Sequence, residues 1–280
     1  MTFLFYKQTQ IFEIENLGFV FFNMNFLSSN KIVWFLIGFI VLTLSSCTGQ
    51  TTETISLAFQ QITYRNQKFD IVKVDLRKND LHFFWKNKKG QLIRSLENLK
   101  KEVETDGKEL LFAMNAGMYQ QDRNPQGLYI ENGKTIKPLD TLQNGYGNFY
   151  LQPNGVFFIK ENKTASVLPS TKFAKENKSI KWATQSGPML LIDNKVHPAF
   201  KEGSSNLNIR NGVGIISEYE IVFVISQKEV NLFDFAMLFK EKLNCKNALY
   251  LDGFVSRAFI PQLNRNDLDG DFGVMIGILK

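Results

Sequence analysis

Cysteine and histidine are scarce in this chain: two of each in 280 residues. Two cysteines cannot supply the dense disulfide framework that small secreted domains rely on. The two histidines, His82 and His197, share no ligand spacing, so a zinc centre lacks its nitrogen and sulfur ligands. A Ser-His-Asp triad would have to recruit one of them, and no Gly-x-Ser-x-Gly turn surrounds Ser186. Neither a GxGxxG run nor a phosphate loop with its lysine is present. Asp267, Asp269 and Asp271 alternate near the C-terminus. Gly270 follows the second of them directly and no glutamate closes the loop, so the EF-hand pattern fails. Aromatic residues sit inside apolar runs, which gives a nucleic-acid partner no support. No motif calls for a cofactor; a divalent ion held by aspartate and backbone oxygens leaves no spacing to recognise. There is no internal repeat and no low-complexity segment.

What is present begins with a targeting segment. Ile32 to Leu44 reads IVWFLIGFIVLTL, an uncharged run preceded by Lys31. It is short for a membrane-spanning helix and suits a signal-peptide core. Leu44-Ser45-Ser46-Cys47 follows and resembles a bacterial lipobox, where small residues admit the peptidase and the Cys47 thiol takes the lipid. A start at Met24 makes Met24 to Lys31 a short basic leader; residues before it add a second apolar patch at Phe19 to Phe22. The expected organisation is a signal segment over 1–46, a lipidated tether over 47–54 and one domain over 55–280. Lipidation implies an extracytoplasmic protein of the cell envelope, held to the bilayer through Cys47, on the periplasmic side or the cell surface. Cys245 is then left alone and reads as a small buried residue. The net charge is +6, much of it in dispersed lysines such as Lys86, Lys88 and Lys89. Such runs are solvated faces, and they also favour anionic substrates or an anionic membrane surface.

Within 55–280, Ile71, Val72, Val74 and Leu76, then Leu81, Phe83 and Trp85, alternate as strands. Leu92, Leu96, Leu99 and Val103 recur at helical spacing, predicting a helix over 92–104. Strands are expected at 110–114, 127–130, 156–159, 189–192, 213–217, 221–226, 248–251 and 274–279. Asn132-Gly133 and Asp193-Asn194 read as hairpin turns. Asn231 suits the cap of a second helix reaching about Leu243. Short strands with two clear helices predict a single β-rich α+β domain: mixed sheets with a few packed helices.

Four segments share a further pattern: Asn115-Ala116-Gly117-Met118-Tyr119, Thr184 to Asp193, Ile209 to Gly214, and Leu249 to Gly253. In each, an apolar strand-like run meets small polar residues and glycine. A strand fixes position, and a glycine lets a ligand approach the backbone. Four such edges suggest one site built from distant parts of the chain. Asp252 ends its strand beside Gly253 and suits a general base or nucleophile; the bland alternative is an Asp-Gly turn. The Arg210 fork suits a phosphate or carboxylate, or else a surface ion pair. Asn115 is a pocket donor or a turn cap.

The words FAMNAGMY (112–119), NPQGLYIENGK (124–134), NFYLQPNGVFFI (148–159), TQSGPMLLID (184–193), IRNGVG (209–214), VNLFDFAMLFKEKL (230–243) and LYLDGFVSRAF (249–259) resemble, in order, the phosphodiester glycosidase family. The likeness is to the uncovering-enzyme type of domain, in a bacterial subgroup. Phe254-Val255-Ser256 stands where many relatives carry a glycine-rich run. The resemblance implies a hydrolase that cuts the glycosidic bond of a sugar 1-phosphodiester, freeing the sugar and leaving a phosphomonoester. It implies Asp252 as the catalytic carboxylate, Arg210 as the phosphate clamp, and Asp234 or Asp122 as a second carboxylate. Asn115, Gly117, Gln185, Ser186, Gly187, Asn211, Gly253 and Ser256 make the implied substrate-binding set. The rival expectation is a lipid-anchored module that binds envelope glycan without cleaving it, with Trp85 or Tyr146 stacked on sugar. A metal-dependent phosphodiesterase is a third.

Overall fold

Runs of alternating or continuous apolar residues from distant parts of the chain pair into three antiparallel sheets. The computed structural model describes residues 57–176, 179–253 and 255–280. Cys47, the apolar run before it and the tether lie outside them. The seven-stranded sheet runs in the order Leu57–Tyr64, Gln67–Asp75, Glu220–Ser226, Asn211–Ile215, Asn247–Asp252, Met189–Ile192, Lys195–Val196. A five-stranded sheet takes Arg265–Asn266, Ala258–Ile260, Leu110–Asn115, Met275–Leu279 and Leu81–Phe84. The other five-stranded sheet takes Lys134–Lys137, Tyr129–Glu131, Ile180–Ser186, Gly155–Lys160 and Ala165–Pro169.

The inner faces of all three sheets meet in one core. Phe83 and Phe112, Phe157 and Trp182, and Phe223 and Leu249 come from the three sheets and are all buried. Their rings pack edge and face, with Phe112 at 5.3 Å from Phe223 and Phe83 at 5.7 Å from Trp182 between centroids. Each such side chain contributes about 1.5–3 kcal/mol by leaving water.

Helices cover outer faces. Leu96–Thr105 begins later than its periodicity predicts, because Leu92 is held in a bridge to Lys86 and Arg94 takes a left-handed φ of 71°. Ser95 then caps the helix by accepting from the Asn98 N–H at 3.1 Å. Leu96, Leu99 and Val103 bury one face against Phe259 and Met275. Leu232–Glu241 is capped by Asn231 and buries Phe235, Leu238 and Phe239 on the seven-stranded sheet. Ser170–Phe173 is a single short turn.

The described residues are mostly β, with few helices, in keeping with the expected β-rich α+β domain, and the sheets are antiparallel rather than mixed. Ala165–Pro169 and Ala258–Ile260 look irregular in sequence yet are strands: the first is the return arm of a hairpin with Gly155–Lys160, and the second pairs with Ala113 and Met114, far back in the chain.

Candidate active site

Strand ends from the three sheets converge at one point. Asp252 closes Asn247–Asp252, Asn211 opens Asn211–Ile215, Asn115 closes Leu110–Asn115, and Ser186 closes Ile180–Ser186. A register shift beside Asn211 sets it opposite Asp252, while Gly212 faces Tyr250. The bulge re-aims both side chains.

Asp252 is 7 % exposed and is fixed by its neighbours. Asn115 Nδ2 donates to Asp252 Oδ2 at 3.2 Å and to the Val255 carbonyl at 2.8 Å. Asn211 Oδ1 accepts from the Asp252 N–H at 2.8 Å, and its Nδ2 donates to the Asn115 carbonyl and Oδ1, each at 2.8 Å. Asn115 Oδ1 also accepts from the Arg257 N–H at 2.9 Å. Ser186 Oγ donates to the Leu251 carbonyl and Ser256 Oγ to the Asp252 carbonyl, both at 2.7 Å. Three side chains thus hold the backbone and carboxylate of one aspartate, and Ser186 holds the carbonyl just before it.

That carboxylate borders a cleft of about 320 Å³, walled by Met118, Tyr119, Gln126, Tyr146, Gly147, Asn148, Phe149, Tyr150 and Val255. Tyr146 is fully exposed at its rim. Burial, and next the charge of Asp252, push the Tyr119 phenol up to about 12. Tyr150 donates its hydroxyl to Asp140 Oδ2 at 2.9 Å and accepts from Gln126 at 3.0 Å.

Most of the substrate-binding set lies behind this cleft rather than on it. Asn115, Asn211, Ser186 and Ser256 position Asp252. Gln185, next to Ser186 on the same strand, points to the opposite face. Its Oε1 accepts from the N–H groups of Leu128 and Asp140, and its Nε2 donates to the Asp140 carbonyl and Ser170 Oγ. It ties down the segment that leads into the 146–150 wall. Gly117 and Gly187 are small because protein atoms fill the space: added methyl groups would lie 2.6 Å from Thr184 Oγ1 and 2.7 Å from the Asn154 side chain. Gly253 is tighter still, with Tyr250 Oη 1.2 Å from where its Cβ would be.

Arg210 is not placed as a fork in the cleft. It is fully buried, and its guanidinium donates to the Val230 carbonyl, Tyr250 Oη, and the carbonyl and Oδ1 of Asn206 at 2.7–2.9 Å. Burial lowers its pKa, but an arginine stays charged. Among the described residues no carboxylate pairs with it. Asp234 does not join Asp252 either: its carboxylate pairs with Arg65 at 2.7 Å and accepts from Asn231. Asp122 lies on an exposed turn with Asn124. Trp85 is a core residue whose indole donates to the Arg123 carbonyl.

The alternating aspartates each meet arginine: Asp267 with Arg265, Asp269 with Arg257, and Asp271 with Arg94 and Arg123. Cys245 is buried under Gly214, and burial pushes its thiol up to about 12. Among the described residues no three His, Cys, Asp or Glu side chains group as a metal site.

Of the residues that wall the cleft, Tyr146 is the one expected from sequence to stack on sugar, whereas Gly147, Asn148, Phe149 and Tyr150 carry no such expectation. Tyr119 ends the Asn115 edge, and the aromatic cluster at Tyr146, Phe149 and Tyr150 is the signal that points to the rest.

A phosphodiester glycosidase family model matches residues 108–278. An uncharacterized protein of Escherichia coli (strain K12), YigE, is 38% identical over 178 residues, which is 63% of this chain and 68% of that protein. Among solved structures, the catalytic domain of zebrafish N-acetylglucosamine-1-phosphodiester alpha-N-acetylglucosaminidase, auto-inhibited by its pro-peptide, superposes with a TM-score of 0.54. It is 15% identical, over 79% of this chain and 81% of that one. A hypothetical protein from Synechocystis superposes at 0.50 with 13% identity, over 80% of this chain and 61% of its own. At such identities the two structures share a fold with this chain.

Proposed function

The chain belongs to the phosphodiester glycosidase family, and from that premise we propose that it hydrolyses the glycosidic bond of a sugar 1-phosphodiester, with Asp252 as the catalytic carboxylate. The observation that carries this is one nearly buried carboxylate, held by strand ends from three sheets, at the edge of an aromatic-walled cleft.

A phosphate leaves far more readily than an alkoxide, so the reaction needs less from a strong general acid. One carboxylate then carries the main task. It takes the proton of an attacking water, or attacks the anomeric carbon itself, and it stabilises the oxocarbenium-like sugar. Asn115 and Asn211 hold it in place, which is where proximity contributes most. Arg210 is a fixed charge behind the cleft and not on its lining: its Nη1 is 3.3 Å from the Cβ position of Gly253 and donates to Tyr250 Oη. A buried charge without a counter-ion is costly to keep, and its field is strong where water is excluded. A diester anion in the cleft would feel that field from behind the turn after Asp252. Tyr146 and Tyr150 offer faces for a sugar ring. Lipidated at Cys47, the protein would work on substrates in the cell envelope.

The glycan-binding alternative keeps one specific support: no lysine or arginine lines the cleft, and an exposed tyrosine stands at its rim. The test is release of free sugar from a panel of aryl sugar 1-phosphodiesters, beside Asp252→Asn. Removing a preorganised charge of this kind costs on the order of 100-fold or more in rate. Full turnover by a folded Asp252→Asn would remove Asp252 from the chemistry. Saturable glycan binding with no product from the unmodified protein would establish the binding module.

A further inference from the structure

On the glycosidase reading, the cleft poses an electrostatic problem. Its lining includes the Asp252 carboxylate and no lysine, arginine or histidine. A diester anion bound there needs neutral donors where other phosphate sites use cations. Tyr150 is already engaged, between Asp140 and Gln126. Tyr146 is wholly exposed at the rim, with nothing to fix its hydroxyl. Tyr119 differs from both. It is half-buried, its backbone is bridged to Pro125, and the Arg123 guanidinium lies 5.4 Å from its ring centroid. Gly273 backs its side chain so closely that an added methyl there would lie 2.6 Å from Tyr119 Cβ. Gly273 and Arg123 thus both pack against this side chain. Among the described residues no group hydrogen-bonds its hydroxyl, which stays protonated because burial and Asp252 push it up to about 12.

We propose that Tyr119 is a further catalytic residue, whose hydroxyl donates a hydrogen bond to the leaving phosphate as the bond between the anomeric carbon and its phosphate oxygen breaks. The bonding pair goes to that oxygen, and the product is a phosphomonoester dianion. Water oxygen bonds the anomeric carbon, and its proton passes to Asp252 and then to solvent. Tyr119 keeps its proton throughout; its bond to the oxygen strengthens as negative charge gathers there. A neutral donor suits this position because a cation would pair with Asp252 and remove its basicity.

The experiment is Tyr119→Phe in the full chain, assayed with the aryl sugar 1-phosphodiester that the unmodified protein turns over best. Phenyl phosphate serves as product-like inhibitor. Loss of one donor aimed at developing charge should lower kcat about 100-fold. KM should change little, and the inhibition constant for phenyl phosphate should rise about tenfold. The melting temperature should stay with the unmodified protein, since the hydroxyl bonds no protein group. Unchanged kcat, or a kcat loss that follows a fall in melting temperature, overturns the inference and leaves the glycosidase reading standing. No turnover by the unmodified protein across the panel overturns both.

Discussion

Replacing Asn211 with alanine should damage stability and catalysis together, because one side chain serves both. The substitution removes the acceptor of the Asp252 N–H and two donations to Asn115, all at 2.8 Å. Asn115 Oδ1 keeps the Arg257 N–H, so it stays satisfied. The Asp252 N–H loses its acceptor in a site where Asn211 is fully buried. An orphaned buried donor costs about 1–3 kcal/mol. The small space left behind raises the total to about 2–4 kcal/mol. For a domain of this size each kcal/mol moves the melting temperature by about 2–4 °C, so a fall on the order of 10 °C is expected. Asp252 is then held by Asn115 and the flanking serines, and slight misplacement of a catalytic group costs up to about 100-fold in rate. Asn211→Asp has nearly the same shape and should do worse at neutral pH. It sets a carboxylate oxygen against the Asn115 carbonyl and Oδ1. The assays are thermal melting and kcat on a sugar 1-phosphodiester. Melting within about 2 °C of the unmodified protein together with unchanged kcat would refute the argument, since an uncompensated donor of this kind is worth more than that.

Two further substitutions test the surroundings. Gly253→Ala drives a methyl group into Tyr250 Oη, which Arg210 holds from behind at 2.8 Å. Overpacking there should cost about 1–3 kcal/mol; it should also displace the turn after Asp252 and abolish most turnover, and an alanine variant with ordinary kcat would show that the turn yields freely. Asp271 accepts from Arg94 at 2.7 and 2.8 Å and from Arg123 at 2.6 Å, and these guanidiniums hold its carboxyl well below the usual carboxylate range. A carboxyl whose pKa falls on folding contributes stability above its unfolded value, about 3.9, and loses it as pH drops through the folded value. Asp271→Asn should therefore melt below the unmodified protein from pH 7 to about 5, with the gap closing steadily below about pH 4. A gap that widened on acidification would contradict that pairing.

How far the sequence speaks depends on whether a feature is local. Leu110 to Met114 reads as a buried strand from its own composition, and the observed strand is Leu110–Asn115. Ala258–Ile260 is three residues among polar ones, and its strand character comes from Ala113 and Met114, far back in the chain. Asp252 is legible because a strand end and a following glycine are adjacent in sequence. The direction of Arg210 is not, because its acceptors on Asn206 and Val230 sit on neighbouring segments whose path no pattern announces. Gln185 and Ser186 illustrate the limit most simply. Alternation along a strand says that they face opposite ways, and only the pairing of the sheet says which one faces Asp252. The 146–150 wall is irregular, so no periodicity marks it.

The amide of Gln185 braces that wall at Asp140, and the Phe149 carbonyl accepts from Asn154 at 3.0 Å. The stretch between these two fixings is anchored at its ends and free of duties toward Asp252. Substitutions between Thr141 and Asn148 therefore reshape the mouth without loosening the strand ends beneath it. A change of ligand then needs one short stretch of chain rewritten, with the strand ends that hold Asp252 inherited intact.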